Sequence, residues 1–68
     1  MTIELNGEPV ELGDPATVAS AVQRSGAEPS RAGIAVAVDG EVCSRAWHER
    51  TVLAAGANVE ILTAVQGG

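Results

Sequence analysis

Chemistry in this sequence could come from its single cysteine, Cys43, its single histidine, His48, the carboxylates Glu4, Glu8 and Glu11, or the diglycine Gly67-Gly68 that ends the chain. His48 lies among charged neighbours in "AWHER" and reads as a solvated loop residue rather than a general base. Cys43 has no histidine beside it in sequence, and a thiol needs a positive neighbour to become a reactive thiolate, so it reads as a bystander. The three glutamates punctuate strand-like stretches and suit a solvated face better than an acid-base pair. One cysteine with one histidine supplies neither an internal disulfide nor the ligand set of a structural zinc site.

What remains is the α-carboxylate of Gly68. With a pKa of about 3.5 it is ionised at neutral pH and inert as an electrophile, so it must be activated from outside. Adenylate transfer from ATP would convert it to a mixed anhydride that a thiolate or persulfide can attack. Glycine suits that role because it lacks Cβ and can thread a narrow channel. The stretch Ala64, Val65, Gln66, Gly67 and Gly68 extends at most about 17 Å at roughly 3.4 Å per residue, enough to enter a partner's active site. All four basic residues are arginine, Arg24, Arg31, Arg45 and Arg50, so the chain has no side-chain amine that an activated C-terminus could acylate.

The elements that would carry this tail are legible in the periodicity. "TIEL" and "EPVEL" alternate across Asn6-Gly7, the strongest short-range signal for a hairpin, and Pro9 makes the second strand an edge. "TVASAVQRSG" changes to helical spacing, with Val18, Ala21 and Val22 on one side, Thr17 able to cap the start and Gly26 the stop. "GIAVAV" is apolar on both faces and predicts a central, two-sided strand. Asp39-Gly40 turns into "EVCSR", where alternation points Cys43 away from Val42, and "AWHER" interrupts before the last strand "NVEILTAV". A helical crossover between hairpins leaves few arrangements. The expected fold is an α+β β-grasp, with about five strands in a mixed sheet, one helix across it and the last strand beside the first. The expected division is a domain over 1–63 and a flexible tail over 64–68.

Composition agrees with a small acidic domain. The chain has 68 residues, 46% of them hydrophobic, but drawn mostly from 12 Ala and 9 Val, with one Trp and no Phe or Tyr. Trp47 is the one large apolar group and is expected to anchor the core. The net charge of -5 repels phosphate backbones, which argues against nucleic acid and fits a basic partner. No apolar run approaches 18 residues and no charged-then-apolar leader is evident, so neither membrane spanning nor export is expected, and the cytoplasm is the default location.

Together, "TIELNGEPVEL", "TVASAV", "GIAVAVDGEV", Trp47 and the ending "VEILTAVQGG" resemble the ThiS family of bacterial sulfur carriers over nearly the whole chain. The resemblance implies a ubiquitin-like β-grasp. It further implies a Gly68 adenylated by a ThiF-type adenylyltransferase that uses ATP and magnesium. The adenylate would become a thiocarboxylate, with sulfur from a donor such as a cysteine desulfurase, and deliver it to a ThiG-type thiazole synthase in thiamine biosynthesis. Gly67 would be its flexible neighbour, and Ala64, Val65 and Gln66 would be tail contacts. The chain itself would bind no cofactor and would be a carrier rather than an enzyme. It departs from the family pattern before Trp47, where Cys43, Ser44, Arg45 and Ala46 stand, and at Ala55 and Ala57, where acidic residues are common. Other readings of the same tail are a molybdopterin-synthase sulfur carrier, a ubiquitin-like modifier joined to lysines, and an interaction module with an incidental diglycine.

Overall fold

The computed structural model describes residues 1–27 and 33–63. Strands β1 (Thr2–Leu5) and β2 (Glu8–Glu11) form an antiparallel hairpin, with Thr2 opposite Glu11 and Leu5 opposite Glu8. Its two turn residues both have positive φ, 51° at Asn6 and 84° at Gly7, the twist that matches a two-residue turn to its strands. Helix α1 (Val18–Arg24) follows. Strands β3 (Ile34–Val38) and β4 (Glu41–Cys43) make a second antiparallel hairpin around Asp39-Gly40, and a 3₁₀ helix, Arg45–Trp47, leads on toward β5 (Asn58–Thr63). The sheet order is β2-β1-β5-β3-β4, with β5 parallel to β1 and antiparallel to β3. This is the expected β-grasp: the last strand is central, and the strand carrying Pro9 is an edge.

One residue extends the parallel pairing past the end of β1. Glu4 N–H donates to Ala57 O and Asn6 N–H to Val59 O, after which the chain turns away. The Asn6 side chain then supplies the missing acceptor, its Oδ1 taking the Ile61 N–H at 2.8 Å. Asn6 thus fits the left-handed turn and completes the ladder at the same time.

The helix is held at its start by both local and distant groups. Thr17 Oγ1 accepts from Ser20 N–H at 3.2 Å and Ser20 Oγ accepts from Thr17 N–H at 3.1 Å, a reciprocal cap. A helix leaves its first N–H groups without internal partners, and here residues 48 and 51 supply acceptors. Val18 N–H donates to Thr51 O and Ala19 N–H to His48 O, both at 2.9 Å. Leu53 N–H donates back to Ala16 O at 2.8 Å, so the segment after the 3₁₀ helix is laced to the entry of α1.

The core joins Val18, Ala21 and Val22 of α1 to Ile3, Leu5, Val36, Val59 and Ile61 of the sheet, closed by Leu12, Ala16, Leu53 and Ala57. Its largest fully buried side chains are Ile3 and four valines, each contributing about 1.5 kcal/mol or more. Three expectations need correction. Trp47 is 56% exposed rather than a core anchor, because the core is already filled by the aliphatic side chains of α1 and the sheet. His48 is only 6% exposed, its Nε2 lying 3.1 Å from Cys43 O, because the lacing of its carbonyl to α1 draws it inward. The segment "GIAVAV" is interior to the sheet but buries one face: Val36 is buried and Ala35 exposed, since α1 covers a single side. No helix of the described residues is long and apolar enough to cross a membrane.

Replacing Asn6 by Gly keeps the turn but orphans the part-buried Ile61 N–H, whereas Ala adds an unfavourable left-handed φ. Denaturant unfolding is expected to rank wild type above Asn6→Gly, lower by about 1–2 kcal/mol, and Asn6→Ala, lower by about a further 1 kcal/mol. Equal stability of all three would show that the bond to Ile61 contributes nothing.

Glu11 is tied to the N-terminal ammonium, which donates to Oε2 at 2.8 Å, and to Thr2, whose Oγ1 donates to Oε1 at 2.7 Å. These two hydrogen bonds, with the ammonium charge, hold its carboxyl below the ordinary glutamate value of 4.5. A depressed carboxyl pKa adds stability that is present above the ordinary value and lost as pH falls from there through the lowered one. Between pH 7 and pH 3, Glu11→Gln is expected to lose less stability than wild type; parallel loss in both would remove Glu11 from the account.

Candidate functional site

The residues expected to do the chemistry, Gly68 with Gly67, Gln66, Val65 and Ala64, lie outside the described residues. What the structure places is the strand that leads to them. β5 runs between β1 and β3 and is described to Thr63, opposite Ile34. Any segment that continues from it starts at the middle of the sheet rather than at an edge.

Alternation along β5 splits its side chains between two environments. Val59 and Ile61 point into the core, while Glu60 and Leu62 point to the face that α1 does not cover, where Leu62 is 69% exposed. Register sets Ala35 opposite Leu62, and Ala37 opposite both Glu60 and Val42. Val42 is 82% exposed. Leu62, Ala35, Ala37 and Val42 therefore form one apolar surface beside β5, with a shallow depression of about 160 Å³ that Glu60 borders. The exposed Thr2 and Glu4 of β1 continue this face as a polar margin. An apolar centre with a polar rim is the usual anatomy of a surface that meets another protein.

The remaining candidates do not assemble into a reacting group. Glu4, Glu8 and Glu11 are exposed, as expected of a solvated face, and Glu11 is engaged by the N-terminal amine. Cys43 is half-buried and packs against the core, opposite to the direction of Val42, as alternation requires. Its Sγ lies 3.6 Å from Thr51 Oγ1 and 3.8 Å from Ser44 O. His48 reaches the carbonyl of Cys43 and not its thiol, so the two side chains are not a nucleophile and base. Among the described residues no group of three or more His, Cys, Asp or Glu could hold a metal ion.

Sequence reasoning did not single out Val42 or Leu62. The signal was present: each is a large apolar residue at the outward position of a strand whose neighbours, Cys43 and Ile61, point inward.

Comparison with known proteins bears on the fold and the tail together. The chain matches the model of the ThiS family over residues 3–68. A crystal structure of the thiamine biosynthesis protein ThiS from Geobacter metallireducens is 25% identical, with all of both chains covered and a TM-score of 0.77. An NMR solution structure of a thiamine biosynthesis protein from the same organism is 26% identical over all of this chain and 88% of that one, with a TM-score of 0.79. No curated protein matches the chain. Because the family match runs from the first strand through the final diglycine, and the sheet has the strand order that brings β5 to its centre, this chain belongs to the ThiS family.

Proposed function

We propose that this protein is the sulfur carrier of thiamine biosynthesis, with the carboxylate of Gly68 as the group that is activated and loaded. The observation that carries the reading is a family match that includes Gly68, on a sheet whose central strand leads toward that residue. A ThiF-type adenylyltransferase, working with ATP and magnesium, would join the Gly68 carboxylate to adenylate with release of pyrophosphate. A persulfide formed by a donor such as a cysteine desulfurase would then attack the carbonyl and displace AMP, giving an acyl disulfide. A second thiol of the partner would attack its outer sulfur, leaving as a disulfide and freeing the thiocarboxylate. The resulting thiocarboxylate would give its sulfur to a ThiG-type thiazole synthase. Catalytic groups for these steps belong to the partners, and the carrier contributes a reaching terminus and a surface to recognise. The cytoplasm, where ATP and these partners would be found, is the proposed place of action.

The apolar face of Ala35, Ala37, Val42 and Leu62 suits the recognition step. It lies beside β5, so a partner seated there also meets whatever extends from Thr63. Val65, Gln66 and Gly67 would then be contacts inside the partner's channel, where ordering the tail is offset by interactions made on binding.

Intact-mass analysis after incubation with a ThiF-type enzyme, ATP, magnesium and a sulfur donor is expected to show exchange of one oxygen for sulfur. The change should map to Gly68 and disappear when that residue is deleted. Absence of the change, with an activating enzyme competent on another carrier, would overturn the reading. Sulfur transfer to a molybdopterin precursor rather than a thiazole would reassign the recipient.

Leu62→Glu places a charge on the exposed face without touching the core. It is expected to raise the KM for adenylation about tenfold or more while kcat changes little, as for loss of one buried apolar contact at a protein interface. An unchanged KM would remove this face from the recognition step.

A further inference from the structure

A second recess lies along the hairpin of β3 and β4, at one edge of the sheet. It is an open cleft of about 480 Å³ whose lining includes Val38, Asp39, Glu41, Val42 and Trp47. Three properties of this lining bear on what could occupy it. Its apolar lining comes from Val38 on the α1 side of the sheet, from Val42 at the rim, and from the indole of Trp47, which is 56% exposed although it is the largest apolar side chain in the molecule. Among the described residues its charged lining is acidic, Asp39 and Glu41, and Arg24, Arg45 and Arg50 do not line it. Among the described residues the Glu41 carboxylate takes part in no ion pair, while Asp39 spends one oxygen on the Asn58 N–H at 2.9 Å.

The molecule also carries an internal example of what the indole accepts. The guanidinium carbon of Arg50 lies 5.7 Å from the centre of the Trp47 ring, within the range of a cation over an aromatic face. Arg50 itself does not line the cleft, whereas Trp47 does.

We propose that this cleft receives an arginine side chain from a partner protein. The methylene stem would lie along Val38, the planar guanidinium would stack against Trp47, and its N–H groups would donate to Glu41, opposite Val38 in the register, and to the remaining oxygen of Asp39. Arginine fits better than lysine because a flat, weakly hydrated cation can stack and donate at once. Charge complementarity supports the choice: a protein with a net charge of -5 draws basic surfaces toward it. Val42 belongs both to this cleft and to the apolar sheet face, so a partner seated on that face could turn one arginine over the edge of β4. The inference does not depend on the carrier reading, since it needs neither the tail nor its activation.

The test uses the full chain and the tripeptide acetyl-Gly-Arg-Gly-amide as probe, titrated into the millimolar range. Trp47 is the only tryptophan, so its fluorescence reports on the cleft directly. Amide resonances in Val38 to Ser44 and the Trp47 indole N–H give a second readout by NMR. Expected are a saturable change at these positions, weakening as salt is raised, and about tenfold weaker binding to Glu41→Gln. The same peptide with neutral citrulline in place of arginine should give no saturable change. Glu41 is exposed, so this variant should retain the wild-type amide spectrum elsewhere. Trp47→Leu, followed by NMR alone, should also weaken binding. No saturable change with the arginine peptide, an equal response to citrulline, or binding indifferent to Glu41→Gln would each overturn the proposal.

Discussion

The rest of the structure depends on one constraint: the last strand must pair on both sides. β5 can enter the sheet only where β1 offers it a parallel edge and β3 an antiparallel one, and its two inward residues, Val59 and Ile61, then complete the buried face. Parallel pairing demands a long connection, and the whole chain between β1 and β5 serves as one, with α1, the second hairpin and the laced segment packed along the way. Asn6 shows how tightly this is arranged. β1 ends before the ladder is finished, and a turn side chain provides the acceptor that Ile61 needs.

The same economy governs the helix. Seven residues make too short a helix to persist alone in water, since nucleation is costly and few internal bonds follow. Its stability comes from outside: Val18, Ala21 and Val22 packed on the sheet, and acceptors for its first N–H groups delivered by residues 48 and 51. That lacing explains His48. A histidine in a charged stretch becomes buried because its own carbonyl holds α1, and its ring then finds the Cys43 carbonyl.

Function is separated from folding by the two-residue period of the strands. On β5, alternate side chains either complete the core or face outward, so Leu62 can be exposed without cost to Ile61. On β4, Val42 faces out while Cys43 packs inward. A small domain can therefore present apolar surface for recognition while its core remains closed by valine and alanine. Placing the catalytic groups of the proposed reaction on partners accords with a structure whose single thiol and single imidazole are both occupied with packing and hydrogen bonding.

The elements and their order were legible because their signals are local. Asn6-Gly7 and Asp39-Gly40 prescribe tight turns, Thr17 prescribes a helix start, and Pro9 excludes an interior strand, each through the conformational limits of one or two residues. The family, and with it the expected role of Gly68, could be read from the linear order of such segments. Trp47 and His48 could not be placed the same way: hydrophobicity sent the first inward and charged neighbours sent the second outward, and the packed structure reversed both. Burial of an isolated residue depends on which elements close around it, and that is settled only when the chain from 48 to 53 docks on α1. Likewise, alternation alone says that Val42 and Leu62 point away from Cys43 and Ile61. Which of the two faces stays open was decided by the tertiary structure, because a single helix can cover only one side of a sheet.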